Sequence, residues 1–134
     1  MDSLAAERHI YARLLTRSAL ATVRIKPYPV GDDFEGIVIK PYSPEGDVTT
    51  SSNDRILAPL IYQVVAVQVG GDGASASAWG REIDIALQKS SGRYAEGDVY
   101  ECARTREVNT PIKTEKGVVQ QIRGGLYRLR VRGA

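Results

Sequence analysis

The chain has 134 residues, of which 43% are hydrophobic and 25% charged, a composition typical of one folded domain. Its formal net charge of +2, from 18 basic and 16 acidic residues, excludes nucleic-acid binding driven by bulk charge alone. The single cysteine excludes an intrachain disulfide, and no apolar run approaches the roughly 20 residues of a membrane-spanning helix. Charged residues interrupt the amino-terminal segment, so we expect no signal peptide and a protein made in the cytosol.

The first third of the chain predicts one helix and two short strands. Residues 1–20 have an amphipathic helical pattern whose apolar side carries Leu4, Ile10, Tyr11, Leu14 and Leu15. His9, the only histidine, is expected at the surface on a flank of this helix. The runs 23–28 and 37–42 each end in Lys-Pro-Tyr, and proline ends a strand because it lacks a backbone donor. The acidic loop between them lacks the ligand spacing of a calcium loop, so we predict no metal there.

The middle of the chain predicts the centre of a sheet and a second helix. Residues 43–54 are polar, and we expect a mobile loop there. Residues 57–69 are the most apolar stretch, so both faces of this strand should be covered, one by helices and the other by a loop, a helix or a neighbouring subunit. Residues 75–90 predict the second helix, in which Gly80 marks a close packing contact. Trp79 in this helix is either a core residue or a subunit contact.

The last third predicts a long hairpin. A strand over 99–108 and a polar tip at 109–117 lead into a carboxy-terminal run in which apolar and basic residues alternate from Leu126 onward. One face of that strand would carry Tyr127, Leu129 and Val131, and the other would carry Arg128, Arg130 and Arg132. Gly124-Gly125 is either a turn between two strands or a bulge in one long strand. The predicted fold class is α+β, a single domain over residues 1–134 with two helices packed on a mainly antiparallel β-sheet.

The sequence offers little material for catalysis. A hydrolase or transferase needs a nucleophile with a base, a metal cluster, or a paired acid and base. This chain has one histidine, one cysteine and no metal-ligand spacing, and Cys102 lies within a predicted strand as a structural thiol. We therefore predict that the chain is not an enzyme, with no catalytic residue, no metal site and no cofactor.

Three segments of the sequence carry a resemblance to a known family. They are Ala-Trp-Gly-Arg-Glu-Ile-Asp-Ile-Ala-Leu-Gln (78–88), Val-Tyr-Glu-Cys-Ala-Arg-Thr (99–105) and Gly-Gly-Leu-Tyr-Arg-Leu-Arg-Val (124–131). With an amphipathic first helix and a central apolar strand, they resemble the tail terminator, or tail completion, proteins of long-tailed bacteriophages. The likeness covers most of the chain from Leu57 onward.

The resemblance implies a structural protein of the virion, located at the tail–neck junction and assembled in the host cytoplasm. It implies a ring, usually a hexamer, that caps the tail tube and contacts both the major tail tube protein and a neck or head-completion protein. DNA would pass through the ring with transient, non-specific contact, and no membrane is involved. Two alternatives stay open: a head-completion or neck adaptor ring, and a small basic nucleic-acid-binding module.

Six residues are candidates for the subunit interface or the channel of such a ring: Trp79, Glu82, Asp84, Arg128, Arg130 and Arg132. If the arginines face the channel, they contact DNA phosphates without reading sequence. If they face a neighbouring subunit, they pair with carboxylates such as Glu82, Asp84 or the Asp32-Asp33-Glu35 cluster. We favour the interface, because a channel through which DNA slides should not hold it.

Overall fold

A computed structural model of the chain describes residues 2–31, 33–42, 58–113, 117 and 119–133. They form two α-helices, a 3-10 turn at Ser18–Leu20 and one six-stranded sheet. The helices are α1 (Asp2–Leu14) and α2 (Ala74–Leu87). The strands are β1 (Ile25–Pro27), β2 (Gly36–Pro41), β3 (Ala58–Val69), β4 (Ser90–Tyr94), β5 (Gly97–Lys113) and β6 (Val119–Gly133). The loop predicted at 43–54 lies outside the described residues.

The strands are arranged in the order β1-β2-β3-β6-β5-β4. The predicted α+β class with two helices is confirmed. The prediction of a mainly antiparallel sheet is corrected: the sheet is mixed, because β1 runs parallel to β2. The sheet curls into a half-barrel. The remaining neighbours pair antiparallel. The segment between β1 and β2, described for residues 28–31 and 33–35, crosses over the sheet instead of forming a hairpin, and it carries Val30 and Phe34 onto the sheet.

The two faces of the sheet bury different sets of side chains. The helix face, on which α1 and α2 pack, contributes Ile37, Ile39, Tyr62, Val64, Ala66, Val99, Cys102, Tyr127, Leu129 and Val131 to the main core. The opposite face, which we call the arginine face because Arg128, Arg130 and Arg132 lie on it, holds a smaller cluster of Val38, Val65 and Val67 beneath Phe34. The predicted covering of both faces is therefore found along β3, where helices cover one face and a loop covers part of the other.

The first helix buries a different stripe from the predicted one. Its core residues are Ala5, Ala6, His9, Ile10 and Leu14. Leu4 is 50% exposed and Leu15 is 73% exposed, although both were expected on the apolar side. The helix ends at Leu14, six residues earlier than the pattern suggested, so Leu15 lies in the following turn and its side chain no longer follows the helical period.

The Gly124-Gly125 pair lies in the middle of one continuous strand, so the turn interpretation is wrong. β6 pairs with β3 along one edge and with β5 along the other through both glycines. The register shifts fall on β5, where one residue is skipped between Val99 and Glu101 and another between Arg104 and Arg106. A Cβ atom at Gly124 would stand 2.3 Å from the Val64 carbonyl oxygen, and one at Gly125 would stand 2.9 Å from the Arg106 carbonyl oxygen. Both neighbouring backbones therefore come too close for a side chain here.

The hairpin between β5 and β6 is longer than predicted. Residues 109–113, expected in a polar tip, continue β5 and pair with β6 as far as Lys113 opposite Val119. Residues 114–116 lie outside the described residues. A mostly polar strand is hard to distinguish from a loop in sequence, because its exposed side chains leave no apolar alternation to detect.

Candidate functional site

The arginine row is the main candidate site. Alternation along β6 sends Tyr127, Leu129 and Val131 into the core, where all are fully buried, and turns Arg128, Arg130 and Arg132 to the arginine face. β6 lies between β3 and β5 in the sheet, so the row crosses the interior of the sheet and not an edge. The predicted separation of the two residue types is confirmed. Whether the arginines act in a channel or at an interface stays a prediction.

One carboxylate, Glu101 on β5, serves two of the three arginines. Its Oε1 lies 3.5 Å from Arg128 Nη2, and its Oε2 lies 3.6 Å from Arg130 Nε. These distances exceed the roughly 2.7–2.9 Å of a strong charge-assisted hydrogen bond. Side-chain exposures of 37% for Arg128, 43% for Arg130 and 45% for Glu101 mean that water partly screens the attraction. The cluster thus keeps a net positive charge and is only loosely paired.

The two guanidinium groups also retain unused hydrogen-bond donors. The Nε atoms of Arg128 and Arg130 are buried and have no hydrogen-bond acceptor among the residues that the structure describes. Arg132 makes one long contact, from Nη1 to the Tyr100 hydroxyl oxygen at 3.4 Å, and its side chain is exposed. Most buried hydrogen-bond donors in native proteins have an acceptor, either in the protein or in ordered water.

Cationic residues extend over the rest of the same face. The strand register places Lys26, Lys40, Arg93 and Arg106 on the side of the sheet that carries the arginine row, and Asp98 and Glu101 are the carboxylates of the described strands on that side. The Lys26 ammonium and the Arg24 guanidinium also stand over the Phe34 ring, at 5.8 and 5.0 Å from its centroid. Asp33 lines a cavity together with Arg24, Lys26 and Phe34 and offsets part of this charge. The excess of positive charge on this face therefore lies on the strands.

The other three candidates lie across the sheet, on α2. Trp79 is half-buried and packs against the main core. Glu82 Oε2 pairs with Arg17 Nε at 2.7 Å. Asp84 Oδ1 accepts a hydrogen bond from the Tyr127 hydroxyl at 3.0 Å and lies 3.6 Å from Arg104 Nε. The structure therefore does not bring the six candidates together, and it gives Glu82 and Asp84 partners within their own chain.

His9 is the polar residue that sequence reasoning misplaced. It is fully buried in α1, not at the surface. Its Nδ1 lies 2.7 Å from the Tyr94 hydroxyl, and its Nε2 lies 2.8 Å from Ser90 Oγ. Ser90 Oγ donates to the Leu87 carbonyl at 2.6 Å, so it accepts from His9 Nε2–H, and Nδ1 accepts from Tyr94. The spacing of His9 from Ala5 and Ala6 already placed it on the buried stripe.

The imidazole of His9 and the thiol of Cys102 are both in environments that lower their reactivity. Burial, with a smaller contribution from the charge of Arg13, lowers the pKa of His9 to about 4, so the ring is neutral at pH 7. Burial raises the pKa of the Cys102 thiol to about 12, and the side chain is fully buried in β5. A neutral histidine with both nitrogens engaged is a poor general base, and a buried thiol is a poor nucleophile.

Neither helix of the described residues has the length and apolar character needed to cross a membrane. Within the same residues, no group of three or more His, Cys, Asp or Glu side chains could hold a metal ion.

Comparison with known proteins places the fold but no family. No protein-family model matches the sequence, and no curated protein matches it. In structure, the chain is similar to a chain in the virion of a native gene transfer agent (GTA) particle. The TM-score is 0.66 at 16% sequence identity, and the match covers 98% of this chain and 97% of that chain. The two chains therefore share a fold over almost their whole lengths.

Proposed function

We propose that this protein is a structural component of a phage-like virion, and that it forms a ring at the tail–neck junction. The observation that carries the proposal is the shared fold with a chain of the GTA virion, which extends over 98% of this chain and 97% of that chain. The resemblance of segments 78–88, 99–105 and 124–131 to tail terminator proteins gives the finer assignment.

In this proposal six copies form the ring, which closes the tail tube, contacts the tube protein on one side and the neck on the other, and lets DNA pass. A ring built from head-to-tail contacts needs two different surfaces on each subunit. Two features of the described residues could serve. Past Cys102, the far half of β5 pairs with β6 on one side and has no described strand on the other. Apolar side chains are exposed at Ile85, Ile112 and Val119. These features support assembly.

We also propose that the protein acts without catalysing a reaction. His9 is neutral and bonded at both nitrogens, and Cys102 is a buried thiol with a raised pKa. The most reactive groups of the chain thus lie in the core and contribute to its packing.

The ring is tested on the purified chain, alone and with the tail tube protein of the same particle. Native mass spectrometry should detect a complex of six 14.6 kDa chains, and electron microscopy of particles carrying a labelled chain should place the ring where tail meets neck. A chain that is monomeric at every concentration, and absent from purified particles, would contradict the proposal.

Deleting the gene separates the tail terminator from the head-completion alternative. Loss of a terminator should give tails of abnormal length, because nothing stops the growing tube. Loss of a head-completion ring should leave tails of normal length that do not join heads.

A further inference from the structure

We propose that the arginine face contacts the phosphate backbone of double-stranded DNA, and that Glu101 acts as an internal competitor that keeps this contact weak. The inference rests on the proposed function, because it names the surface that meets the DNA passing through the ring.

The charge of the arginine face supports a polyanionic partner. Seven cationic side chains of the described strands lie there: Lys26, Lys40, Arg93, Arg106, Arg128, Arg130 and Arg132. Asp98 and Glu101 oppose them on the same strands. Even when Asp33 of the loop over this face is counted with them, the excess of positive charge is larger than the net charge of +2 of the whole chain. The chain therefore concentrates its positive charge on one surface, as proteins that contact nucleic-acid backbones do.

The geometry of the arginines favours an oxygen-rich ligand. Arg128 and Arg130 alternate along one strand, so about 6.6 Å of backbone separates their positions. Their Nε atoms are buried, but the side chains are 37% and 43% exposed, so the remaining guanidinium nitrogens are the donors that a ligand can reach. A phosphate group accepts several hydrogen bonds from such donors and is bound in a two-pronged manner by arginine.

A neighbouring copy of the chain fits this face less well. Of the carboxylates that the sequence suggested as partners, Asp32 lies outside the described residues, and Asp33 lies in the loop over the arginine face itself. Glu35 accepts a hydrogen bond from the Val69 backbone N–H at 3.0 Å, and Glu82 and Asp84 are engaged with Arg17, Tyr127 and Arg104 of their own chain. Using them across an interface would first require breaking those contacts. A DNA phosphate brings its charge from outside the chain, so it has to displace only the loosely paired Glu101 carboxylate.

Glu101 allows the arginine face to contact DNA without preventing the DNA from sliding. A row of unopposed arginines would hold DNA tightly, and a channel requires that it slide. Because Glu101 lies 3.5 and 3.6 Å from two guanidinium groups, an arriving phosphate must compete with a carboxylate that is already present. The contact is therefore weak and exchanges quickly, while the positive face still attracts the strand.

The test measures binding of a short labelled DNA duplex to the full chain over a salt series, with two unrelated duplex sequences. In Arg128→Gln/Arg130→Gln, binding should weaken equally for both sequences, and the log–log dependence of affinity on salt should become shallower by about two. Glu101→Gln should bind about two- to fivefold more tightly, as expected for removing one screened surface ion pair. The control Arg8→Gln/Lys89→Gln removes the same charge from exposed residues of α1 and of the turn after α2, on the opposite side of the sheet, and should leave binding unchanged.

Several results would overturn the inference. They are no duplex binding by the wild-type chain at low salt, equal weakening in both double variants, and weaker binding in Glu101→Gln with an unchanged melting temperature. Loss of ring formation in Arg128→Gln/Arg130→Gln with unchanged duplex binding would assign the face to a subunit interface instead. Native mass spectrometry of the same samples separates the two proposals, since a ring that binds no duplex refutes this inference and leaves the proposed function standing.

Discussion

His9 stabilises the fold only while it is neutral. The folded chain holds the pKa of this ring at about 4 because of burial and the Arg13 charge, whereas the unfolded chain has the ordinary value of about 6.5. As pH falls below 6.5, the unfolded state takes up a proton that the folded state refuses. Stability is thus complete above pH 6.5 and declines as pH approaches 4.

We predict that the free energy of unfolding of the wild-type chain falls by up to about 2–3 kcal/mol between pH 7 and pH 4 through His9 alone. His9→Phe should be less stable at pH 7, because Ser90 and Tyr94 lose their partner, by about 1–3 kcal/mol. The same variant should show no change between pH 7 and pH 5.5, where carboxylates are still ionised.

Urea denaturation at several pH values measures both effects. The chain has a single histidine, so no second imidazole complicates the comparison. An identical wild-type unfolding midpoint at pH 7 and pH 5.5 would refute the buried, neutral ring.

At the scale of elements, glycines set how closely β6 approaches its neighbours. A Cβ atom at Gly124 would stand 2.3 Å from the Val64 carbonyl oxygen and 2.7 Å from Val65 Cα, both backbone atoms of β3 that cannot rotate away. At Gly80 of α2, a Cβ atom would stand 3.2 Å from Arg123 Cβ, which confirms the predicted close packing of this helix on the sheet. Gly124 therefore tolerates no side chain, whereas Gly80 could accept a methyl group after a small shift of Arg123.

We predict that Gly124→Ala destabilises the chain by about 1–3 kcal/mol, because β3 and β6 must separate to admit the methyl group. Gly80→Ala serves as the matched control, since its tight contact is offset by about 1 kcal/mol of helix propensity, and it should change stability by less than about 1 kcal/mol. Urea unfolding of the two variants at pH 7 gives the comparison. Equal losses in both would contradict the asymmetry.

At the scale of the whole molecule, ring formation requires a surface whose burial between subunits is favourable in free energy. Ile85 on α2 is 50% exposed and borders a groove of about 300 Å³ between that helix and the far half of β5, together with Arg81, Arg104 and Asn109. An apolar side chain beside a groove of mixed charge is suited to a subunit contact.

We predict that Ile85→Glu lowers the fraction of chains in the ring while leaving the melting temperature of the subunit within a few degrees of wild type. Leu15→Glu is the control, because Leu15 is 73% exposed and lies after α1, away from the groove. Sedimentation velocity at matched concentrations measures assembly. If both variants assemble as well as wild type, the groove is not part of the interface.

Local periodicity made much of the fold predictable. The alternation in 126–132 placed the arginines opposite Tyr127, Leu129 and Val131, and the apolar run in 57–69 identified a central strand. Both signals depend only on neighbours along the chain, since successive side chains of a strand point to opposite faces. The candidate site was found in part for the same reason, because its arginines belong to that one strand.

What depends on distant residues could not be predicted in this way. Glu101 approaches Arg128 and Arg130 because one extra residue of β5, between Arg104 and Arg106, shifts the pairing of β5 with β6 before Glu101 is reached. The parallel pairing of β1 with β2 depends on how the segment between these strands crosses the sheet. The hydrogen-bond partners of His9 depend on Ser90 and Tyr94, which lie more than 80 residues further along the chain. The sequence by itself determined which residues alternate and which segments are apolar. Only the tertiary structure decided which charges meet and which donors lack a partner, because those contacts join residues far apart in the chain.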